Sequence, residues 1–121
     1  YIGLTGLLAP DDPRFAGTVA AIEDELFTDP ILYRYHQDDG LPGTEGGFLI
    51  CSSWLVDCYI LMGRLQEARS LYDKIVELAG PTGLLKEEYD PINMICLWNL
   101  PQAYSNIALI DNTIRLEEAG A

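Results

Sequence analysis

The stretch FLICSSWLVDCYILM, Phe48 to Met62, decides the fold. A helix on a protein surface shows one apolar stripe, whereas this run places apolar side chains on almost every side, as a helix buried all round does. Ser52, Ser53 and Asp57 interrupt it, and it is too short and too polar to span a bilayer. Gly63 breaks the pattern. The next segment, RLQEARSLYDKIVELAG from Arg64 to Gly80, carries Leu65, Ala68, Tyr72, Ile75 and Ala79 along one side, which describes an amphipathic helix with a wet face.

Working outward, APDDPR (Ala9 to Arg14) is a helix start: Asp11 or Asp12 can accept from the free N–H groups of the first turn, and Pro13 suits the first helical position. That helix runs to about Phe27 with Phe15, Val19, Ile22 and Leu26 in one stripe, until TDP stops it. Ile31 to His36 alternates apolar and polar residues and reads as extended, and the Gly, Pro and Asp cluster after it continues no regular element. A last helix begins at Pro101, with Ala103, Ile107, Ile110 and Ile114 on one face. The chain therefore reads as all-α, a helix buried all round beside one-sided helices, as two concentric rings of helices require. A helical repeat stack, suggested by GRLQEARSLY, is the competing reading, but no repeat period is found and the loops differ greatly in length.

A chain of 121 residues makes one domain at most, or a piece of one, and can bury roughly two-thirds of its unfolded surface. Apolar residues make up 49% and charged ones 21%, which excludes a disordered chain. The net charge of −12 argues against nucleic acid and anionic membranes, because seven Lys and Arg cannot neutralise a row of phosphates. Cys51, Cys58 and Cys96 lack metal-ligand spacing and read as reduced, buried cysteines; with one histidine, His36, no metal and no cofactor are expected. No basic segment followed by an apolar stretch and a cleavage site opens the chain, so a cytoplasmic protein is expected.

GLLKEEYDP, Gly83 to Pro91, sets two glutamates side by side between glycine and proline. Adjacent like charges persist either because water solvates both or because one has a task. From these residues alone, a solvated acidic turn is the plainer reading.

Taken together, RYHQDDGLPGTEGGFLICSSWLV, GLLKEEYDP and NLPQAYSN, in this order and spacing, resemble the C-terminal part of the family fifteen glycoside hydrolases, the glucoamylase-like and trehalase-like enzymes. The resemblance runs from about Leu7 through Asp111. It implies the C-terminal portion of an (α/α)6 toroid, residues 1–121 being a partial catalytic domain without its N-terminal hairpins. It also implies an inverting hydrolase of α-glucosides, an α-glucan or trehalose. Such enzymes use two carboxyl groups roughly 6.5–9.5 Å apart, one protonating the leaving oxygen and one taking a proton from the attacking water.

By position the resemblance implies Glu87 as the base, with Glu88, Tyr89 and Asp90 as supporting neighbours and Glu88 also counted among the sugar-binding residues. Arg34 and Tyr35 match an Arg-Tyr pair at the substrate rim, where a guanidinium can hold two sugar hydroxyls and a ring can lie on a pyranose face. The alternative for Arg34 is an ion pair with Asp38, Asp39 or another carboxylate of the loop. Glu45 falls in the family's EG pair before the buried helix and is a further substrate-binding candidate. Trp54 reads as core, and Trp98 as a candidate to line the sugar pocket.

There are departures: Trp98 replaces a usual glycine and Asn106 a common histidine, while Asn99 is retained. The proton donor has no counterpart in these residues, so the chain alone is expected to be inactive, and its bare apolar flanks to promote self-association. The alternative is a non-catalytic helical scaffold for a protein partner.

Overall fold

The computed structural model describes residues 2–37, 40 and 46–121. Among these the chain forms four helices: α1 (Pro13–Leu26), α2 (Leu49–Leu61), α3 (Leu65–Leu78) and α4 (Ala103–Ala119). Asp12 caps α1, its Oδ1 accepting the Arg14 N–H at 2.8 Å, with Pro13 in the first turn. Phe15 and Val19 of α1 are buried, and Ile22 and Leu26 pack against the same core.

α2 is the centre of the molecule, packed against α3 and α4. Its buried residues include Leu49, Cys51, Leu55, Val56, Cys58 and Tyr59, spread around the helix as the all-round apolar pattern demands. The polar interruptions are accommodated in place. Ser52 Oγ accepts the Leu32 N–H at 2.9 Å. Asn112 of α4 donates from Nδ2 to Asp57 Oδ1 at 2.9 Å and to the Ser53 carbonyl at 3.2 Å. At the other end Gly63, with φ of 72°, takes the left-handed conformation that turns the chain into α3. α3 then buries Ala68, Leu71 and Ile75 and leaves its opposite side wet.

The helical majority agrees with the sequence pattern, but five short strands accompany it. β1 (Phe27–Thr28) pairs antiparallel with β2 (Ile31–Leu32), so only the first two residues of the expected extended piece form a strand. β3 (Gly47–Phe48), β4 (Glu88–Asp90) and β5 (Ile95–Leu97) make an antiparallel sheet in that order. Its pairs include Phe48 with Glu88 and Glu88 with Leu97. The physical reason is that buried backbone groups outside helices must still find partners, and here they find one another. Gly47 is indispensable to this join: a Cβ there would lie 1.7 Å from Ile31 Cγ2.

α4 turns its apolar stripe outward. Ser105, Asn112 and Leu116 are its buried residues, while Ile107 and Ile110 remain 63% and 60% exposed, with Tyr104 and Ile114 beside them. No helix among the described residues is long and apolar enough to cross a membrane.

Candidate active site

The paired glutamates part at the edge of the sheet: Glu88 opens β4, whereas Glu87 lies in the bend just before it. Glu88 turns inward, 4% exposed, and its Oε2 accepts the Gly46 N–H at 3.1 Å. Glu87 lines a cavity of ≈ 810 Å³ between the N-terminal parts of α2 and α4. Its backbone is fixed by the Leu49 N–H, which donates to the Glu87 carbonyl at 3.1 Å, and its Oε2 accepts from Asn99 Nδ2 at 2.8 Å. Asp90 shapes the β4–β5 turn: Oδ2 accepts from Asn93 Nδ2 at 2.7 Å, and Oδ1 from the Ile92 and Asn93 N–H groups at 2.8 and 3.1 Å. Those bonds, Asn93's side chain first, hold its carboxyl below the usual carboxylate range.

Arg34 lines the same cavity. Its guanidinium lies 4.5 Å from the Phe48 ring centre and 4.7 Å from that of Tyr35, and Nη2 donates to the Tyr35 hydroxyl at 2.9 Å. The two flanking rings orient the planar cation. Tyr35 thus meets the cavity through Arg34. Trp54, read as core, packs against the core and also lines the cavity. The cavity continues along α2 and α4 to Asp57 and Arg115. Burial pushes the Asp57 carboxyl up to about 6, against the pull of Arg115, whose Nε stands 3.4 Å away. Cys51, also on the wall, is a buried thiol pushed up to about 11 by burial, which makes it a packing group and not a nucleophile.

The structure therefore brings Glu87 and Arg34 together and turns Glu88 away from them. Trp98 is 74% exposed and outside the cavity's lining. Its φ of 61° is the left-handed conformation that suits glycine. Glu45 lies outside the described residues, as do Asp38 and Asp39. The sequence does not mark Phe48, Gln102 and Asn99 as site residues. Phe48 opens an apolar run and looks like core, whereas Gln102 and Asn99 sit inside the NLPQAYSN segment that carried the resemblance. Among the described residues no three of His, Cys, Asp or Glu converge as a metal site would require.

Residues 3–113 match the family described as "Glycosyl hydrolases family 15". The trehalase of Thermoplasma acidophilum is 44% identical over 117 residues, covering 96% of this chain and 20% of that protein. The trehalase of Mycobacterium tuberculosis is 45% identical over 121 residues, covering 95% of this chain and 18% of that protein. The trehalase of Mycolicibacterium smegmatis is 43% identical, with the same coverage. The chain spans about a fifth of the length of the curated relatives it matches. No solved structure matches it.

Proposed function

The chain belongs to glycosyl hydrolase family 15, and from that premise we propose that it forms the base-bearing, C-terminal part of an (α/α)6 toroid whose full-length form hydrolyses trehalose with inversion. The observation that carries this reading is the meeting of Glu87 and Arg34 in one cavity, with the neighbouring Glu88 buried in the sheet. Trehalose is favoured over longer glucans by the relatives, which are named trehalases.

In this mechanism Asn99 engages Glu87 Oε2, and Oε1 takes a proton from a water as the water's oxygen attacks the anomeric carbon. The bond from that carbon to the bridging oxygen breaks on the opposite side, and the oxygen collects a proton from an acid supplied by another part of the domain. A separation of roughly 6.5–9.5 Å between the two carboxyl groups leaves space for the water. Arg34 holds sugar hydroxyl oxygens, and the aromatic faces of Phe48 and Trp54 give a pyranose ring an apolar wall.

Inversion at one centre of an α,α-linked disaccharide releases one β-glucose and one α-glucose. Proton NMR of the first turnovers of the full-length protein on trehalose tests this. Equal α and β products are expected, with turnover lowered about 10³-fold in Glu87→Gln. Two α-glucose molecules, or a fully active Glu87→Gln, would refute it.

A further inference from the structure

Leu85 is fully buried and stands two residues before Glu87. Asn106, near the start of α4, takes both of its backbone groups. The Leu85 N–H donates to Asn106 Oδ1 at 3.1 Å, and Asn106 Nδ2 donates to the Leu85 carbonyl at 3.0 Å and to the Gln102 carbonyl at 2.7 Å. The Gln102 N–H gives the Leu85 carbonyl a second bond at 3.0 Å. One side-chain amide thus stands in for a neighbouring strand. The segment is gripped from α4 at Leu85 and from the α2 side at Glu87, whose carbonyl accepts the Leu49 N–H.

The chemistry is particular to an amide, which offers a donor and an acceptor side by side at one planar end. A carboxylate lacks the donor, and the two nitrogens of a histidine diverge across its ring. Two residues of extended backbone span only about 6.6 Å, with no glycine between Leu84 and Glu88 to absorb a shift, so a displacement at Leu85 is passed on to Glu87.

We propose that Asn106 is a positioning residue that sets the Glu87 carboxylate through the backbone of Leu85; this rests on the reading of Glu87 as the base.

The test uses the full-length protein, with kcat and KM measured on trehalose and amide hydrogen exchange followed at Leu85. Asn106→Asp keeps the shape and removes the donor. It is expected to lower kcat about 10²-fold while KM stays within about twofold, and, because the carboxylate repels the Leu85 and Gln102 carbonyls, to loosen the segment and speed exchange at Leu85. Should Asn106→Asp fail to fold, Asn106→Ser, which keeps a single hydroxyl, takes its place with the same expectation. A folded variant with kcat within about twofold of the parent, beside an inactive Glu87→Gln, would overturn the proposal. So would loss of folding in both variants, which would make Asn106 a support of the whole fold. Full turnover in Glu87→Gln would instead remove the base reading itself, and Leu85 exchange would still report whether the grip exists.

Discussion

Two glutamates at opposite ends of α2 live in contrasting surroundings. Glu23 of α1, beside the C-terminal end of α2, receives two bonds from Arg64, at 2.9 and 3.1 Å, and a third from the Tyr59 hydroxyl at 2.6 Å. Arg64 also grips Glu67 at 2.6 and 2.9 Å and lies 4.2 Å from the Tyr59 ring centre. Arg64 chiefly, with Tyr59, holds the Glu23 carboxyl below the usual range. At the other end Glu87 lines an open cavity and is held by a neutral amide. A carboxylate bound by a cation is committed to the fold, whereas one steadied by a neutral donor keeps its charge for a third party. The first arrangement ties three elements together, and the second leaves a carboxylate on the wall of a hollow.

The contrast predicts opposite outcomes for the same substitution. Glu87→Gln lowers turnover about 10³-fold and leaves the unfolding free energy within about 0.5 kcal/mol. Glu23→Gln leaves kcat near the parent value and costs about 2 kcal/mol, because it strips charge-assisted bonds from Arg64 and Tyr59. Urea titration beside steady-state kinetics separates the two, and a destabilised Glu87→Gln would blur the distinction.

Arg34→Lys probes the same end more gently. Lysine cannot stack as a plane between Phe48 and Tyr35, so KM for trehalose should rise about tenfold, equivalent to ~1.4 kcal/mol, with a smaller change in kcat.

Asp57 sits between the two extremes, buried and paired with Arg115 only at 3.4 Å. Its carboxyl is raised from 3.8 to about 6 in the folded protein, so the fold binds its proton more tightly than the unfolded chain does. That proton stabilises the fold fully below 3.8, and its contribution is lost as pH rises through about 6. Thermal unfolding between these limits should show the parent gaining on Asp57→Asn as pH falls, by about 1–3 kcal/mol in all. Parallel pH profiles would contradict it.

The smallest effect concerns Trp98. Relief of its left-handed backbone in Trp98→Gly should add up to about 1 kcal/mol of stability with kcat unchanged, read from the melting temperature.

The helices were legible because burial and periodicity agree: the apolar residues around α2 and the stripes of α1 and α3 all name their neighbours. Strands of two or three residues are too brief to show alternation, so β3, β4 and β5 were invisible, and with them the reason Glu88 is buried. α4 shows that a stripe can be read without its direction: Ile107 and Ile110 line one face, yet Asn112 and Ser105 make the buried one. Glu87 and Arg34 entered through their motifs. The bonds of Asn99 to Glu87 and of Asn106 to Leu85 join residues brought together only by folding, and nothing in local spacing announces them.

The central claim is that Glu87 activates a water, and the most direct measurement replaces that water. In the full-length protein with Glu87→Ala, azide needs no base: its nitrogen attacks the anomeric carbon while the bridging oxygen still takes its proton from the acid. The account predicts loss of hydrolysis without azide, turnover restored with it, and a β-glucosyl azide as product. Hydrolysis of trehalose by Glu87→Ala at the parent rate, or an α-configured azide, would contradict it.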